Sequence, residues 1–302
     1  MKRITWLGTT TAAVAVVLAA GMSSCAKEKA LADLLPEGEP CRLMLQAKTI
    51  DTKVNAERLS EGTVVGVHIV DRTSEETTTT AQKWPNLKHI ANAQGGLDYQ
   101  NEDPSGLPII LTTGYLYDVY SYSPYVEGLT AEGSSQIAVG HGVDVLWAKT
   151  GDQKPNDKTH TVDLEFEHKA AKVEFQVVAD AASEPDITGA TIKVTGFYKD
   201  GTLDLATGKI TPGMKDETIE LNQMGQAICF LPLEGEMELK VQVTVPEGSA
   251  NAGTYVGSVK RTFLPGTSTE IKVTVIDRNS ELGLTAGLVP WEEKTGNMDV
   301  NN

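Results

Sequence analysis

The sequence lacks the short motifs that mark common enzyme classes. It contains no serine nucleophile elbow, no phosphate-binding glycine loop, no EF-hand and no redox pair of cysteines. Its five histidines are scattered along the chain, and none has the close ligand spacing that zinc sites use. We therefore predict a protein that is not an enzyme and that has no catalytic residues, no metal site and no cofactor.

Positive charge is scarce. The chain has a formal net charge of −15, and removal of Lys2 and Arg3 with an N-terminal signal would take away two positive charges and leave −17. A strongly acidic surface without a basic cluster repels both nucleic acid and anionic lipid. We expect neither of them as a partner.

Cysteine is also rare, with three in the chain. Cys41 and Cys229 each lie in an apolar run and are expected to be buried thiols. The third, Cys25, directly follows the small residues Ser23 and Ser24. A cysteine in that position, after an apolar run, is the acceptor for lipid in bacterial lipoproteins.

The N-terminal segment has the three parts of an export signal. Lys2 and Arg3 precede an almost uncharged run at residues 7–20. That run is shorter than the roughly 20 residues that span a bilayer, so it indicates a signal rather than an anchor helix. We predict a lipoprotein signal peptide at residues 1–24, a tether at 25–36, and lipid on Cys25 that holds the chain on a membrane. An ordinary secretory peptide with an incidental cysteine is the alternative.

The rest of the chain is dominated by short runs in which apolar and polar residues alternate. Such runs occur at residues 63–69, 239–245 and 271–275, with Gly, Pro, Asn and Asp between them. A period of two with many β-branched residues predicts strands with one buried face. No convincing amphipathic helix follows the signal. The sequence therefore predicts an all-β fold, made of sandwiches, with a long irregular loop at residues 71–108.

A polar segment, KTGDQKPNDKT at residues 149–159, separates two strand-rich halves. It predicts an N-terminal domain at 37–158 and a C-terminal domain at 159–302. Within the second domain, the buried positions are even up to residue 166 and odd from residue 171 onward. This change of parity predicts a bulge or bend near Lys169 and Ala170.

Aromatic residues are concentrated in one stretch of the chain. Such clusters anchor interfaces or stack on sugars, but they are also ordinary strand residues whose rings pack while the hydroxyls stay wet. Both interpretations remain open here. The candidate surface-binding residues are Tyr115, Tyr117, Tyr120, Tyr122, Tyr125 and Trp84.

Several segments, taken in order, resemble the fimbrillin family of lipoprotein pilus subunits from anaerobic Gram-negative bacteria. Each motif alone is weak, whereas their order and combination are fairly specific. The matching segments are GTVVGV (62–67), YDVYSYSPY (117–125), DVLWA (144–148), FEHKAAKV (166–173), LDLATG (203–208), FLPL (230–233) and FLPG (263–266).

The resemblance implies two transthyretin-like, Greek-key β-sandwich domains in tandem, and assembly by strand exchange. A trypsin-like protease would cut after a basic residue in the loop that follows the first strand, residues 41–50. The candidate cleavage sites are Arg58 and, as the alternative, Lys53. Removal of the first strand would open a groove for the terminal segment of a neighbouring subunit. Residues 288–300 are the candidate donor in this chain, and their acidity suits a tip, minor or non-polymerising subunit.

The expected function is therefore a cell-surface fimbrial subunit or adhesin, anchored to the outer membrane by lipid. Its expected partners are other fimbrial subunits, the processing protease and a host or bacterial surface ligand. A surface glycan-binding lipoprotein is the alternative, with the tyrosine cluster and Trp84 as its platform. A lipoprotein hydrolase has no support in the sequence.

Overall fold

The computed structural model describes residues 36–50, 56–73, 82–100, 108–129, 136–221, 227–231, 236–276 and 282–289. Within these ranges the chain forms strands and turns and no helix, so the all-β prediction is confirmed. The same ranges contain no helix of the length and apolarity needed to cross a bilayer. The signal, Cys25, the tether up to residue 35 and Lys53 lie outside the described residues.

The first ten strands lie between residues 40 and 168. Their bounds are β1 Pro40–Ile50, β2 Ala56–Arg58, β3 Val64–Asp71, β4 Gln82–Ala91, β5 Leu97–Tyr99, β6 Ile110–Thr112, β7 Tyr117–Ser123, β8 Gln136–Gly140, β9 Leu146–Gln153 and β10 Thr159–His168. Nine of them form one sheet in the order β2-β1-β10-β9-β7-β3-β4-β5, with β6 paired to β1. A single antiparallel bridge joins Gln46 of β1 to Gly96, the residue directly before β5. The last strand in the order therefore lies close to β1.

The remaining strands lie between residues 171 and 289. Their bounds are β11 Ala171–Ala179, β12 Thr191–Tyr198, β13 Asp200–Asp204, β14 Ile210–Pro212, β15 Lys215–Leu221, β16 Ala227–Phe230, β17 Met237–Val245, β18 Gly253–Arg261, β19 Ser268–Val275 and β20 Leu282–Val289. They form two four-stranded sheets, β16-β11-β19-β20 and β15-β12-β17-β18. A third, small sheet joins β14 and β13 to β8 of the first half.

Alternating apolar residues on the strands build three buried clusters. One cluster lies between the two four-stranded sheets, which pack face to face as a sandwich around Phe175, Phe197 and Phe230 from the strands and Phe263 from the connection between β18 and β19. A second cluster lies inside the nine-stranded sheet. The third includes Ile137 of β8 and Leu203 of β13, so the two halves share part of their core.

The change of sheet occurs at Lys169 and Ala170. The buried residues of β10 are even-numbered through His168, and those of β11 include Val173, Phe175 and Val177, so the predicted parity change is confirmed. Strand β10, which the sequence-based division assigned to the second domain, pairs with β1 and β9 in the first sheet. The polar segment at 149–159 connects two strands of that sheet. The arrangement is compatible with two tandem sandwiches, and the division at residues 158–159 stays a prediction.

Candidate functional site

Strand β1 is a regular two-faced strand. Its inward side chains are no more than 6% exposed, whereas the residues between them face outward. Such alternation lets one extended segment fill a row of pockets while its backbone completes a sheet. The inward residues are Cys41, Leu43, Leu45, Ala47 and Thr49.

One edge of β1 is fully paired. A parallel ladder joins residues 42–50 to residues 159–167 of β10, with Arg42 opposite Thr159 and Ile50 opposite Glu167. The Arg42 backbone N–H also donates to the Lys158 carbonyl at 2.8 Å. This ladder is the continuous backbone contact of β1.

The opposite edge of β1 is covered in pieces. The three-residue strand β6 pairs with residues 40–42, and the three-residue strand β2 pairs with residues 48–50. Between them, the Ala47 N–H donates to the Gly95 carbonyl at 2.8 Å. Short partners of this kind provide few hydrogen bonds each, so this edge is held less continuously than the edge on β10.

Two cavities lie along the interrupted edge. One, of about 440 Å³, is lined by Leu43, Met44, Leu45, His89 and Tyr99, among others. The other, of about 260 Å³, lies beside Ala47 and Lys48 and is also lined by Arg58 and Gly95. They fall on either side of the contact between β1 and the turn that contains Gly95 and Gly96.

His89 lines the larger cavity as a neutral imidazole. Its Nδ1 lies 3.2 Å from the Leu87 carbonyl, and because a carbonyl can only accept, Nδ1 carries the proton. Its ring lies 5.2 Å from the ring of Tyr99. Burial lowers the pKa of His89 from 6.5 to about 4, although the Leu87 carbonyl opposes this shift.

The turn that contacts β1 is fixed by Asn92. The Asn92 Oδ1 accepts hydrogen bonds from the N–H groups of Gln94 and Gly96, at 3.1 and 2.8 Å. Its Nδ2 donates to Asp98 at 2.9 Å. Gly95 has a φ of +85°, a conformation that side-chain-bearing residues rarely adopt. The turn can therefore bring the Gly95 carbonyl up to β1.

Arg58, the candidate cleavage residue, lies at the end of β2 and is exposed. Its backbone pairs with Lys48 of β1, and its guanidinium donates to the Ala93 carbonyl at 3.2 Å. Its side-chain stem packs against Gly95, since a Cβ built there would lie 3.4 Å from the Arg58 Cγ and Cδ. The next residue, Leu59, is only 2% exposed. Arg58 is thus an exposed residue directly before a single buried leucine, and the chain is exposed again at residues 60–62.

The candidate donor segment, 288–300, is only partly described. Leu288 and Val289 belong to β20 and pair with Thr269 and Ser268 of the same chain. Residues 290–300 lie outside the described residues.

The tyrosine cluster is divided between the core and the surface. Tyr117 and Tyr122 are no more than 1% exposed, so burial places them in the core and removes them from any surface platform. The Tyr117 hydroxyl accepts from the Thr112 N–H at 3.0 Å, and the Tyr122 hydroxyl donates to Asn86 at 2.7 Å.

The other aromatic candidates lie closer to solvent. Tyr115 is 39% exposed, and Trp84 is half-buried against the first core. Tyr120 lies 5.0 Å below the Lys149 ammonium and Tyr125 lies 5.4 Å from that of Lys88. Burial, with smaller contributions from Asp118, raises the pKa of Tyr120 to about 12. A surface-binding role for these four residues stays a prediction.

The sequence analysis missed several residues that shape the β1 site. His89, Asn92 and Gly95 lie in the stretch expected to be an irregular loop, and that expectation was wrong for residues 82–100, which form β4, β5 and the turn between them. Gly95 and Gly96, which mark a turn, and the alternation at residues 87–91 were the sequence signals that could have indicated a hairpin here. Pro85 and the positive φ of Asn86 interrupt the pattern of β4 and hide it.

Comparison with known proteins gives a consistent result. A family model described as fimbrillin-like matches residues 52–291. No protein of curated function matches the chain.

Three solved structures from Bacteroides, each described as a candidate cell-adhesion protein, are similar in fold. The Bacteroides uniformis protein is 18% identical with a TM-score of 0.62, and the match covers 83% of this chain and 98% of that one. The Bacteroides ovatus protein is 16% identical with a TM-score of 0.64, covering 84% and 98%. The Bacteroides fragilis protein is 15% identical with a TM-score of 0.53, covering 85% and 100%. The family match spans most of the sequence, and the chain therefore belongs to the fimbrillin-like family.

Proposed function

We propose that this protein is a structural subunit of a cell-surface fimbria and that it acts through strand exchange rather than catalysis. Membership in the fimbrillin-like family supports the fimbrial and surface assignment. The observation that carries the assembly mechanism is the geometry of β1: one face fills a row of pockets, one edge has a continuous ladder, and the other edge is held in pieces.

In this mechanism β1 is a temporary occupant of its groove. Its departure would expose the apolar pockets under residues 41–49 and the backbone edge of β10. An open edge with unpaired N–H and C=O groups is a template for another strand. A strand from a second molecule would restore both the hydrogen bonds and the buried side chains. Because donor and acceptor surfaces differ, the contact is head-to-tail and extends into a filament.

Proteolysis after Arg58 would free β1, and Lys53 remains the alternative site. Arg58 is exposed and ends a three-residue strand, which supports its access to a trypsin-like protease after limited local opening. Because Leu59 is buried, the remaining body would begin at a residue that its own core retains. The released fragment would carry β1 and β2 together.

Lipid on Cys25 would deliver the precursor to the outer membrane before assembly. The apolar run and the small residues that precede Cys25 support this step. Acyl burial would hold the acidic body at the membrane, and cleavage after Arg58 would separate that body from its anchor. The partners in this scheme are other fimbrial subunits, the protease and, for an adhesive subunit, a surface ligand.

Limited digestion tests the proposal. The chain that begins at Cys25, without lipid, is treated with an arginine-specific protease alongside an Arg58→Gln variant. We expect a major new N-terminus at Leu59 in the unsubstituted protein, followed by release of residues 25–58 when an excess of a peptide of residues 40–50 is added. The variant should lack that N-terminus and should keep its first strand when the peptide is added. Cleavage elsewhere, or a nicked protein that never exchanges its first strand, would contradict the mechanism.

A further inference from the structure

We propose that the groove of β1 accepts an extended segment of a different fimbrial subunit, one with a β-branched aliphatic residue in place of Thr49 and basic residues on its outer face. Residues 288–300 of a second copy of this chain would not fit. The inference rests on the proposed function, because it specifies which strand replaces β1.

The first argument is the Thr49 hydroxyl. Thr49 is 5% exposed, and its Oγ1 is buried with no hydrogen-bond partner among the residues described. A buried hydroxyl without a partner costs free energy that an aliphatic group of the same shape does not. Val or Ile at this position would keep the β-branched shape and remove the cost. β1 is therefore a weaker occupant of its groove than a closely related strand.

The second argument is the charge beside the groove. The ladder places Asp163, Glu165 and Glu167 of β10 next to Gln46, Lys48 and Ile50, all on the outward face of the sheet. Lys48 already forms an ion pair with Glu165 at 2.5 Å, and Lys169 pairs with Glu167.

Opposite charges on neighbouring strands stabilise their pairing, and like charges weaken it. Departure of β1 takes Lys48 away from Glu165. A replacement strand with Lys or Arg at the positions of Gln46 and Lys48 restores the match.

The sequence of residues 288–300 fails both requirements. Five alternate inward positions span nine residues, and every such register within 288–300 turns either Glu292 or Glu293 toward the pockets. Burial of a glutamate without a partner is strongly unfavourable. In addition, Leu288 and Val289 already pair within their own chain as part of β20. A second copy is therefore a poor donor for this groove.

Peptide exchange on the whole chain tests the inference. A sequence-specific protease site is inserted within residues 51–55, so that β1 can be cut from the body while it stays in the groove. Displacement of the cut segment is then followed by native mass spectrometry. Four peptides compete: residues 40–50 unchanged, the same with Thr49→Val, the same with Lys48→Glu, and residues 288–300.

The expected order of the peptides follows from the two arguments. The Thr49→Val peptide should displace β1 at a concentration at least about five-fold lower than the unchanged peptide. The Lys48→Glu peptide should be about two- to five-fold weaker than the unchanged one at low salt, and the difference should shrink in 1 M salt. The 288–300 peptide should not displace β1.

The outcomes separate the two proposals. If even the unchanged peptide fails to exchange, β1 is a permanent strand and the proposed function fails with the inference. If the unchanged peptide exchanges, equal competition by the Thr49→Val peptide, or displacement by the 288–300 peptide, overturns the inference alone.

The intact protein provides an independent readout. Thr49→Val should lower its unfolding equilibrium constant by about five-fold or more, because the unpaired hydroxyl is lost. Thr113→Val is the matched control, since the buried Thr113 hydroxyl donates to the Pro36 carbonyl and accepts from the Glu39 N–H. That variant should unfold more readily. A loss of stability in Thr49→Val as large as in Thr113→Val would overturn the inference.

Discussion

Gly208 lies directly against the indole of Trp147: a Cβ built on Gly208 would lie 2.6 Å from the ring. Trp147 belongs to β9 of the first half, and Gly208 lies in the turn between β13 and β14 of the second half. The indole N–H donates to the Leu205 carbonyl at 2.9 Å, and the Lys169 ammonium lies 4.6 Å from the ring centre. The ring is therefore held on several sides and cannot easily move away from the turn.

Gly208→Ala should destabilise the protein by about 2–4 kcal/mol, because the methyl group overlaps the indole and the φ of +67° is unfavourable for alanine. Gly142→Ala is the control, since Gly142 has a similar φ of +75° but no atom within 4 Å of its Cβ position. It should cost only about 1 kcal/mol, from the backbone alone. Urea unfolding measures both. Equal costs would show that the indole contact adds nothing.

His89 should make stability depend on pH in the weakly acidic range. Burial lowers the pKa of His89 to about 4, below the 6.5 of an unfolded histidine, so the unfolded chain binds more protons between these values. The stability that the neutral His89 side chain contributes is complete above pH 6.5. It is lost progressively as the pH falls from 6.5 through 4. Relative to His89→Gln, the unsubstituted protein should lose about 2 kcal/mol between pH 7.5 and pH 5.0. Parallel losses in the two proteins would contradict this assignment.

Tyr122 and Tyr115 should respond differently to loss of the hydroxyl. The Tyr122 hydroxyl donates to Asn86 at 2.7 Å in a buried hydrogen bond, and it accepts from the Val126 N–H at 3.2 Å in a partly buried one. Tyr122→Phe should cost about 1–2 kcal/mol, because these groups lose a buried partner. Tyr115→Phe, at a 39% exposed position, should change stability by less than about 0.5 kcal/mol. The reverse order in thermal unfolding would contradict the core placement of Tyr122.

Local pattern was enough to predict the strands with regular alternation. The inward residues of β17 and β19 and the parity change at Lys169 and Ala170 follow from a side-chain period of two, because each position faces the opposite side from its neighbour. The same rule identified the exposed face of β10. These features depend only on residues that are close together in sequence, so they can be predicted from the local pattern alone.

Features that depend on distant pairing were not predicted. The partner of β1 is β10, more than a hundred residues away in sequence, and nothing in either strand specifies the other. The segment at 149–159 looked like a domain linker because a polar connection between two strands of one sheet has the same composition. The missing partner of Thr49 is likewise invisible in sequence, since it depends on what packs around the hydroxyl.

Leu203 should be essential for joining the two halves. It is fully buried in β13, pairs with Ile137 of β8, and belongs to the cluster that both halves share. Because this contact links the first and second halves through hydrogen bonds and core packing, the unsubstituted protein should unfold in a single transition. Leu203→Ala should lower the free energy of unfolding by about 2–5 kcal/mol and separate that transition into two.

Leu264→Ala is the matched control for that experiment, because Leu264 is 54% exposed and its truncation leaves no cavity. Its effect should stay below about 0.5 kcal/mol, with one transition preserved. Differential scanning calorimetry counts the transitions of each variant, and far-ultraviolet circular dichroism follows strands throughout the chain. A single calorimetric transition for Leu203→Ala would mean that the two halves still unfold together without this side chain, and that Leu203 is not essential for joining them.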